Sequence, residues 1–252
     1  MRLKNKVAIV TGGGAGLGEA IATGFATEGA RVVIAEIDLA RGASTASAIQ
    51  KNGGDAVFVQ TDVASEASVK AMVEGALERY GHLDILVNNA AILISHSDKR
   101  TDELSSEEWD RIINVNLRGY WLCAKYAIPP MRKQRAGNIL FIGSRTGLRG
   151  FPGLAAYSAS KGGALALMRS LAAEYARDGI RINAIVPGTM DTPMNAEEFS
   201  DPDARNRYIP GIPAGRLGIA SDVAGMATFL ATDEAGFCIG GLYFVDGGAD
   251  LG

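Results

Sequence analysis

The chain holds only two cysteines and two histidines, and that scarcity removes several functions before any motif is read. Cys123 and Cys238 stand alone in apolar surroundings, which fits buried thiols in a reducing compartment rather than a disulfide framework. His82 and His96 cannot hold a metal by themselves, and no cluster of His, Cys and carboxylate has zinc-like spacing. No apolar run reaches the ~18 residues of a membrane span. The start, Met1 to Lys6, leads straight into a strand pattern and lacks the features of a signal peptide. Positive charge is not in excess either. Lys and Arg number 25 against 28 Asp and Glu, a formal net charge of −3, which argues against a general nucleic-acid binder. The expectation is a soluble cytoplasmic protein with no metal, membrane or nucleic-acid partner.

What the chain does have is core material and order. Hydrophobic residues make up 47% and charged ones 21% of 252 residues, enough apolar side chain for one large unit. Apolar, β-rich runs at 6–11, 31–36, 55–60, 84–88, 138–143, 180–185 and 243–245 are predicted as strands. Helical patterns lie between them: about 17–28, up to about 51, 66–80, a long region ending near 131, and the segment around Tyr157. Strands without polar alternation are buried on both faces, and strand–helix alternation implies right-handed crossovers. The predicted architecture is therefore α/β: one domain, residues 1–252, built on a doubly wound parallel seven-stranded sheet. The one irregular stretch, about 189–218, is rich in Pro, Asp and Asn and reads as a lid over a site.

Three patterns carry chemistry. Thr11-Gly-Gly-Gly-Ala-Gly-Leu-Gly18 follows the first strand and opens a helix, where small residues let the backbone approach a pyrophosphate at the positive helix end. Its spacing, Gly-x-x-x-Gly-x-Gly, departs from the usual dinucleotide fingerprint. Glu36 ends the second strand, about 20 residues on, where a carboxylate accepts from ribose hydroxyls and repels a 2′-phosphate. Tyr157 and Lys161 are four apart on a helix, so both face one site. A free phenol has a pKa near 10, and a neighbouring ammonium favours the phenolate.

Taken in order along the chain, these residues resemble the short-chain dehydrogenase/reductase family, over nearly the whole length. Gly12, Gly14, Ala15, Gly16, Leu17 and Gly18 resemble its cofactor loop. Asp62 and Val63 resemble its adenine contact, and Asn88-Asn89-Ala90-Ala91 its Asn-Asn-Ala-Gly signature, with Ala91 in place of the last Gly. Asn116, Ser144, Tyr157 and Lys161 match its catalytic set. Pro187, Gly188, Met190 and Thr192 resemble the nicotinamide-side loop, and Asp246-Gly-Gly248 the C-terminal signature. The resemblance implies a Rossmann fold, a homotetramer and oxidation of a secondary alcohol. In that reaction Ser144 donates to the substrate oxygen and Tyr157 removes its proton. Lys161 lowers the Tyr157 pKa and binds the nicotinamide ribose, and Asn116 holds a relay water.

NAD is the expected cofactor, because the positions where NADP-preferring relatives carry a basic residue are Ala15 and Ile37. The alternative for Glu36 is a solvated strand end that tolerates either cofactor. For the substrate, His96, Lys99, Arg100, Arg145 and Arg149 supply cations near the site, with Asn195, Arg205, Arg207 and Arg216 in the lid. Arg145 follows Ser144, where a guanidinium can clamp an anion or several hydroxyls; its alternative is a solvated charge or a bridge to Glu197 or Glu198. A small polar, anionic or polyhydroxy substrate is expected, such as a sugar or cyclic diol. An NADPH-dependent 3-oxoacyl-(acyl-carrier-protein) reductase and a non-catalytic cofactor sensor are the competing readings.

Overall fold

The apolar runs build seven strands: β1 (Val7–Thr11), β2 (Arg31–Glu36), β3 (Asp55–Gln60), β4 (Ile85–Asn88), β5 (Gly137–Ile142), β6 (Ile180–Pro187) and β7 (Leu242–Val245). The computed structural model describes residues 1–93 and 100–251. All strand pairs are parallel, in the order β3-β2-β1-β4-β5-β6-β7. Every residue of β1 is buried, which is why it lacks polar alternation. Val7 and Ile9 face one core layer, Ala8 and Val10 the other.

Helices cover both faces. Helices α3 (Glu66–Tyr80), α5 (Gly119–Gln134) and α6 (Ala155–Tyr175) pack on one side. Helices α1 (Gly16–Thr27), α2 (Leu39–Lys51) and α8 (Ala220–Ala231) pack on the other. The long region predicted to end near 131 is two helices, α4 (Ser106–Ile113) and α5, joined through a π-helical turn at Asn114–Arg118. Such a turn shifts the helix by one residue and is common at functional sites. Helix α8 had no counterpart in the sequence reading. Its C-terminal carbonyls are satisfied from the sheet: Asn138 Nδ2 donates to Leu230 O at 2.7 Å, and Arg181 donates to Leu230, Thr232 and Ala235 O. Side chains from β5 and β6 thus add to a local cap, in which Thr232 Oγ1 donates to Phe229 O at 2.7 Å.

The strand order reverses direction between β1 and β4, so a crevice opens beyond their carboxyl ends. The segment predicted as a lid arches over it. Its ends are drawn together by a bridge between Met190 and Gly218, with Gly218 N donating to Thr189 O at 3.0 Å and Asp191 N to Gly218 O at 2.8 Å. Between them lie α7 (Pro202–Tyr208) and short 3₁₀ turns. Cys123 and Cys238 are both free thiols. Among the described residues no helix is long and apolar enough to cross a membrane, and no three His, Cys or carboxylate side chains cluster as metal ligands.

Candidate active site

The crevice is a cavity of about 1150 Å³, larger than a typical drug-sized pocket and roomy enough for a dinucleotide with a small second molecule. One wall begins at the glycine loop. Thr11 Oγ1 donates to Val87 O at 3.0 Å and accepts from Asn89 N and Ala90 N, while Asn89 Nδ2 donates to Thr11 O and Gly12 O. The ends of β1 and β4 are thereby stitched together under the loop. Helices α2, α3 and α4 each begin on a side chain that caps a backbone N–H, but Ala15 gives α1 no such cap. The first-turn amides of α1 are left for an anion, with the helix dipole behind them. Gly12, Ala15, Gly16 and Leu17 line the cavity; Gly14 and Gly18 sit behind it as packing positions.

Around the wall, Glu36, Asp62, Val63, Asn89 and Ala90 are all brought to the cavity. Pro187, Gly188, Met190 and Thr192 close its far end. Glu36 is more constrained than a solvated strand end. Its carboxylate accepts from Gly14 N at 3.1 Å, Ile37 N at 2.9 Å and Asp38 N at 3.1 Å. These charge-assisted bonds fix it against the loop. Arg41, from the first turn of α2, lines the same corner, a cation that the sequence signal at Ala15 and Ile37 does not reveal.

At the inner end, β5 runs through Gly143 to Ser144, and α6 carries Tyr157 in its first turn with Lys161 one turn later. Gly162 and Gly163, weak points in a helix by propensity, have a packing reason: a Cβ on Gly163 would lie 2.8 Å from Leu117 Cδ2, and one on Gly147 would lie 2.7 Å from the α6 backbone. Small residues bring the Ser144 turn against α6. Ser144 Oγ accepts from Thr146 Oγ1 at 2.9 Å and Thr146 N at 3.2 Å, and its hydroxyl sits near enough to Tyr157 to favour the phenolate. With those acceptor sites filled, the Ser144 proton points into the site.

Lys161 is almost fully buried, and its Nζ donates to Ile142 O at 2.9 Å and Tyr120 Oη at 3.1 Å. It lies 5.7 Å from the Tyr157 ring centre. Burial pushes Tyr157 up to about 12, opposed by the Ser144 hydrogen bond, and Lys161 down to about 7. Desolvation dominates both groups, because the pair is enclosed and the ammonium is turned toward β5 and α5.

Asn116 is fully buried behind the wall; its Oδ1 accepts from Ile92 N at 2.8 Å, and its Nδ2 donates to Ile92 O and Ser160 Oγ. Both amide protons are taken, so the side chain clamps the loop after β4 to α6.

Of the substrate-side cations, Arg145 lines the cavity with its guanidinium 5.9 Å from the Phe151 ring centre, and among the described residues no carboxylate pairs with it. The bridge to Glu197 or Glu198 is absent there. Arg149 instead pairs with Asp250 at 3.2 Å and is not on the wall, a correction that follows from the exposed turn carrying it. Arg205 pairs with Asp191 at 2.5 Å and Arg216 with Asp222 at 2.7 Å. His96 and Lys99 lie outside the described residues. Arg111, on α4, is a second cavity-facing cation that the sequence did not flag. On the lid side, Tyr208 donates to Glu198, and both line the cavity.

A glycine-loop crevice at a sheet switch point, with a Ser–Tyr–Lys group at its floor, defines a dinucleotide-dependent oxidoreductase. Comparison with known proteins gives the family. The family described as enoyl-(acyl carrier protein) reductase matches residues 12–250. An uncharacterized oxidoreductase of Thermotoga maritima is 45% identical over 249 residues, covering 98% of this chain and 96% of that protein. The 3β-hydroxysteroid dehydrogenase 1 of Eggerthella lenta is 42% identical, covering 99% and 95%. The crystal structure of levodione reductase superposes with a TM-score of 0.94 at 33% identity, over 99% of each chain. The chain belongs to the short-chain dehydrogenase/reductase family, whose members are oxidoreductases of alcohols and ketones using a nicotinamide cofactor.

Proposed function

We propose that this protein is an NAD(H)-dependent dehydrogenase that interconverts a secondary alcohol and a ketone on a small polar, anionic or polyhydroxy substrate. The observation that carries the reading is that Ser144, Tyr157 and buried Lys161 line one crevice headed by the glycine loop. The α1 amides and loop hold a pyrophosphate, Asp62 and Val63 the adenine side, and Pro187 to Thr192 the nicotinamide side. When bound, NAD⁺ accepts the hydride and brings a positive charge into the site. Ser144 would donate to the substrate oxygen, and Tyr157, as a phenolate supported by Lys161, would take the hydroxyl proton as the hydride leaves the carbinol carbon for the cofactor. Residence in the cytoplasm and assembly as a homotetramer follow from composition and family resemblance; light scattering tests the latter.

NAD rather than NADP is supported by Glu36, held by three backbone N–H groups where a 2′-phosphate would sit beside a carboxylate. A second reading, an NADPH-dependent acyl-carrier-protein-type reductase, is favoured by Arg41 in the same corner. Fluorescence titration separates them. NADH is expected to bind at least ~10-fold more tightly than NADPH, and Glu36→Ala to remove most of that gap, by the logic of one lost repulsion. Tighter NADPH binding in the wild type, lost in Arg41→Ala, establishes the second reading.

The substrate class rests on Arg145 and Arg111 facing one cavity. Arg145→Ala is expected to raise KM for an anionic or polyhydroxy substrate by roughly 10–100-fold with kcat little changed, as loss of a charged contact does. The panel includes cyclic diols, sugar alcohols, hydroxyalkyl carboxylates and sulfonates, and a 3β-hydroxysteroid. An unchanged KM on the best substrate, or a steroid as best substrate, removes the clamp.

A further inference from the structure

A second phenol stands beside Lys161. Tyr120 lies four residues after Asn116, so the two leave α5 and its π-turn on one face and meet α6 together. Asn116 grips Ser160, and Tyr120 reaches Lys161. Tyr120 is 1% exposed, and its Oη accepts from Lys161 Nζ at 3.1 Å while donating to Ile142 O at 3.2 Å. Ile142 O accepts from Lys161 Nζ in turn, at 2.9 Å. Three polar groups close a ring of hydrogen bonds out of water, directly behind Tyr157.

The ring of Tyr120 is itself held. It meets Phe141 edge to face at 5.5 Å, and the Tyr120 backbone carbonyl accepts from Asn88 Nδ2 at 3.3 Å. Phenylalanine would satisfy that packing equally well. The hydroxyl is the one part of the side chain that packing does not require, and it is aimed at the ammonium.

An ammonium has three N–H donors. Tyr120 and Ile142 take two, which fixes the direction of the third toward the cavity that Lys161 lines. We propose that Tyr120 is a positioning residue for the proton-handling pair: its hydroxyl docks the Lys161 ammonium against the end of β5 and helps keep it charged. The inference rests on the reading of Tyr157 and Lys161 as that pair. The titratable groups facing Lys161 are Tyr157 from its own helix and Tyr120 from α5, with Cys123 behind Tyr120; β5 offers only the Ile142 carbonyl. Among the described residues no carboxylate offsets the burial of the ammonium. A neutral oxygen acceptor is therefore its main side-chain support.

Tyr120→Phe tests this with the ring retained. In protein labelled with ¹³C,¹⁵N-lysine, the Lys161 signal, assigned by its loss in Lys161→Met, is followed against pH without added ligand. Wild-type Lys161 is expected to titrate near 7, and the Tyr120→Phe midpoint to fall by about one pH unit, the size of a lost hydrogen bond to the charged form. With NAD⁺ and the best alcohol of the panel, the acid limb of kcat/KM should move up by a similar amount, because a less charged Lys161 supports the Tyr157 phenolate less. Superimposed lysine titrations overturn the proposal even where thermal stability drops, since packing alone leaves the proton affinity unmoved. Loss of activity in Tyr157→Phe, alongside unchanged Tyr120→Phe curves, would sink the Tyr120 role and leave the catalytic pair standing. Full activity in Tyr157→Phe would instead sink the pair.

Discussion

Tyr157→Phe is expected to lower turnover by roughly 10³-fold, within the range of a lost general acid–base group, while NADH binding changes little. The phenyl ring keeps the packing of the first turn of α6 and removes only the phenol oxygen on the cavity wall. The pH dependence has a definite sign. Burial holds the phenol up to about 12, so in alcohol oxidation, which needs the phenolate, the rate should rise with pH through the neutral range. Ketone reduction needs the phenol as acid and should not gain in the same way. Single-turnover absorbance at 340 nm, paired with NADH fluorescence titration, checks both statements. A variant that keeps its turnover would move the proton chemistry elsewhere in the cavity.

Gly18→Ala is the second large effect, acting through packing rather than chemistry. A Cβ at this position would lie 2.0 Å from Gly12 O and 2.6 Å from Asn89 Nδ2. The neighbours are a backbone carbonyl and the amide that donates to it, so neither can swing away without opening the stitch between β1 and β4. Overpacking of this kind costs ~1–3 kcal/mol, a fall in Tm on the order of 5 °C for a chain of this size. Dinucleotide affinity should drop at least ~10-fold, because the loop and the first turn of α1 move together. Gly75→Ala is the control: no atom lies within 4 Å of its Cβ position in α3, and a helical alanine there should be neutral or stabilising. Differential scanning calorimetry and NADH titration of the pair separate loop collapse from a general glycine effect.

The sheet was legible because its signal is local and redundant. Each strand is a short apolar run between turn residues, and the Tyr157–Lys161 spacing is set by one helix. The ends of the irregular segment were legible too, since Thr189 and Gly218 are where the chain pairs with itself. What failed was anything decided by contacts between distant segments. Helix α8 ends largely on Asn138 and Arg181 from the sheet, with only Thr232 as a local cap. Arg149 looked equivalent to Arg145 by distance along the chain, but the turn after Ser144 sends it to Asp250, while Arg111 arrives from α4. The partners of the Asn116 amide were not legible either, because the π-turn aims it at Ile92 and Ser160. The charge on Lys161 is set in the same non-local way. Burial and the partners Tyr120 and Ile142, drawn from two other elements, set it more than the neighbour four residues away.

The most direct test of the account is absorbance at 340 nm when NAD⁺ is added to the protein with the alcohol panel, and with the matching ketones in the presence of NADH. A rise with at least one secondary alcohol, fallen by roughly 10³-fold in Tyr157→Phe, is the predicted result. Protein that binds NADH yet changes the absorbance with no alcohol and no ketone would contradict it, and would make the crevice a cofactor-binding site without the hydride-transfer chemistry.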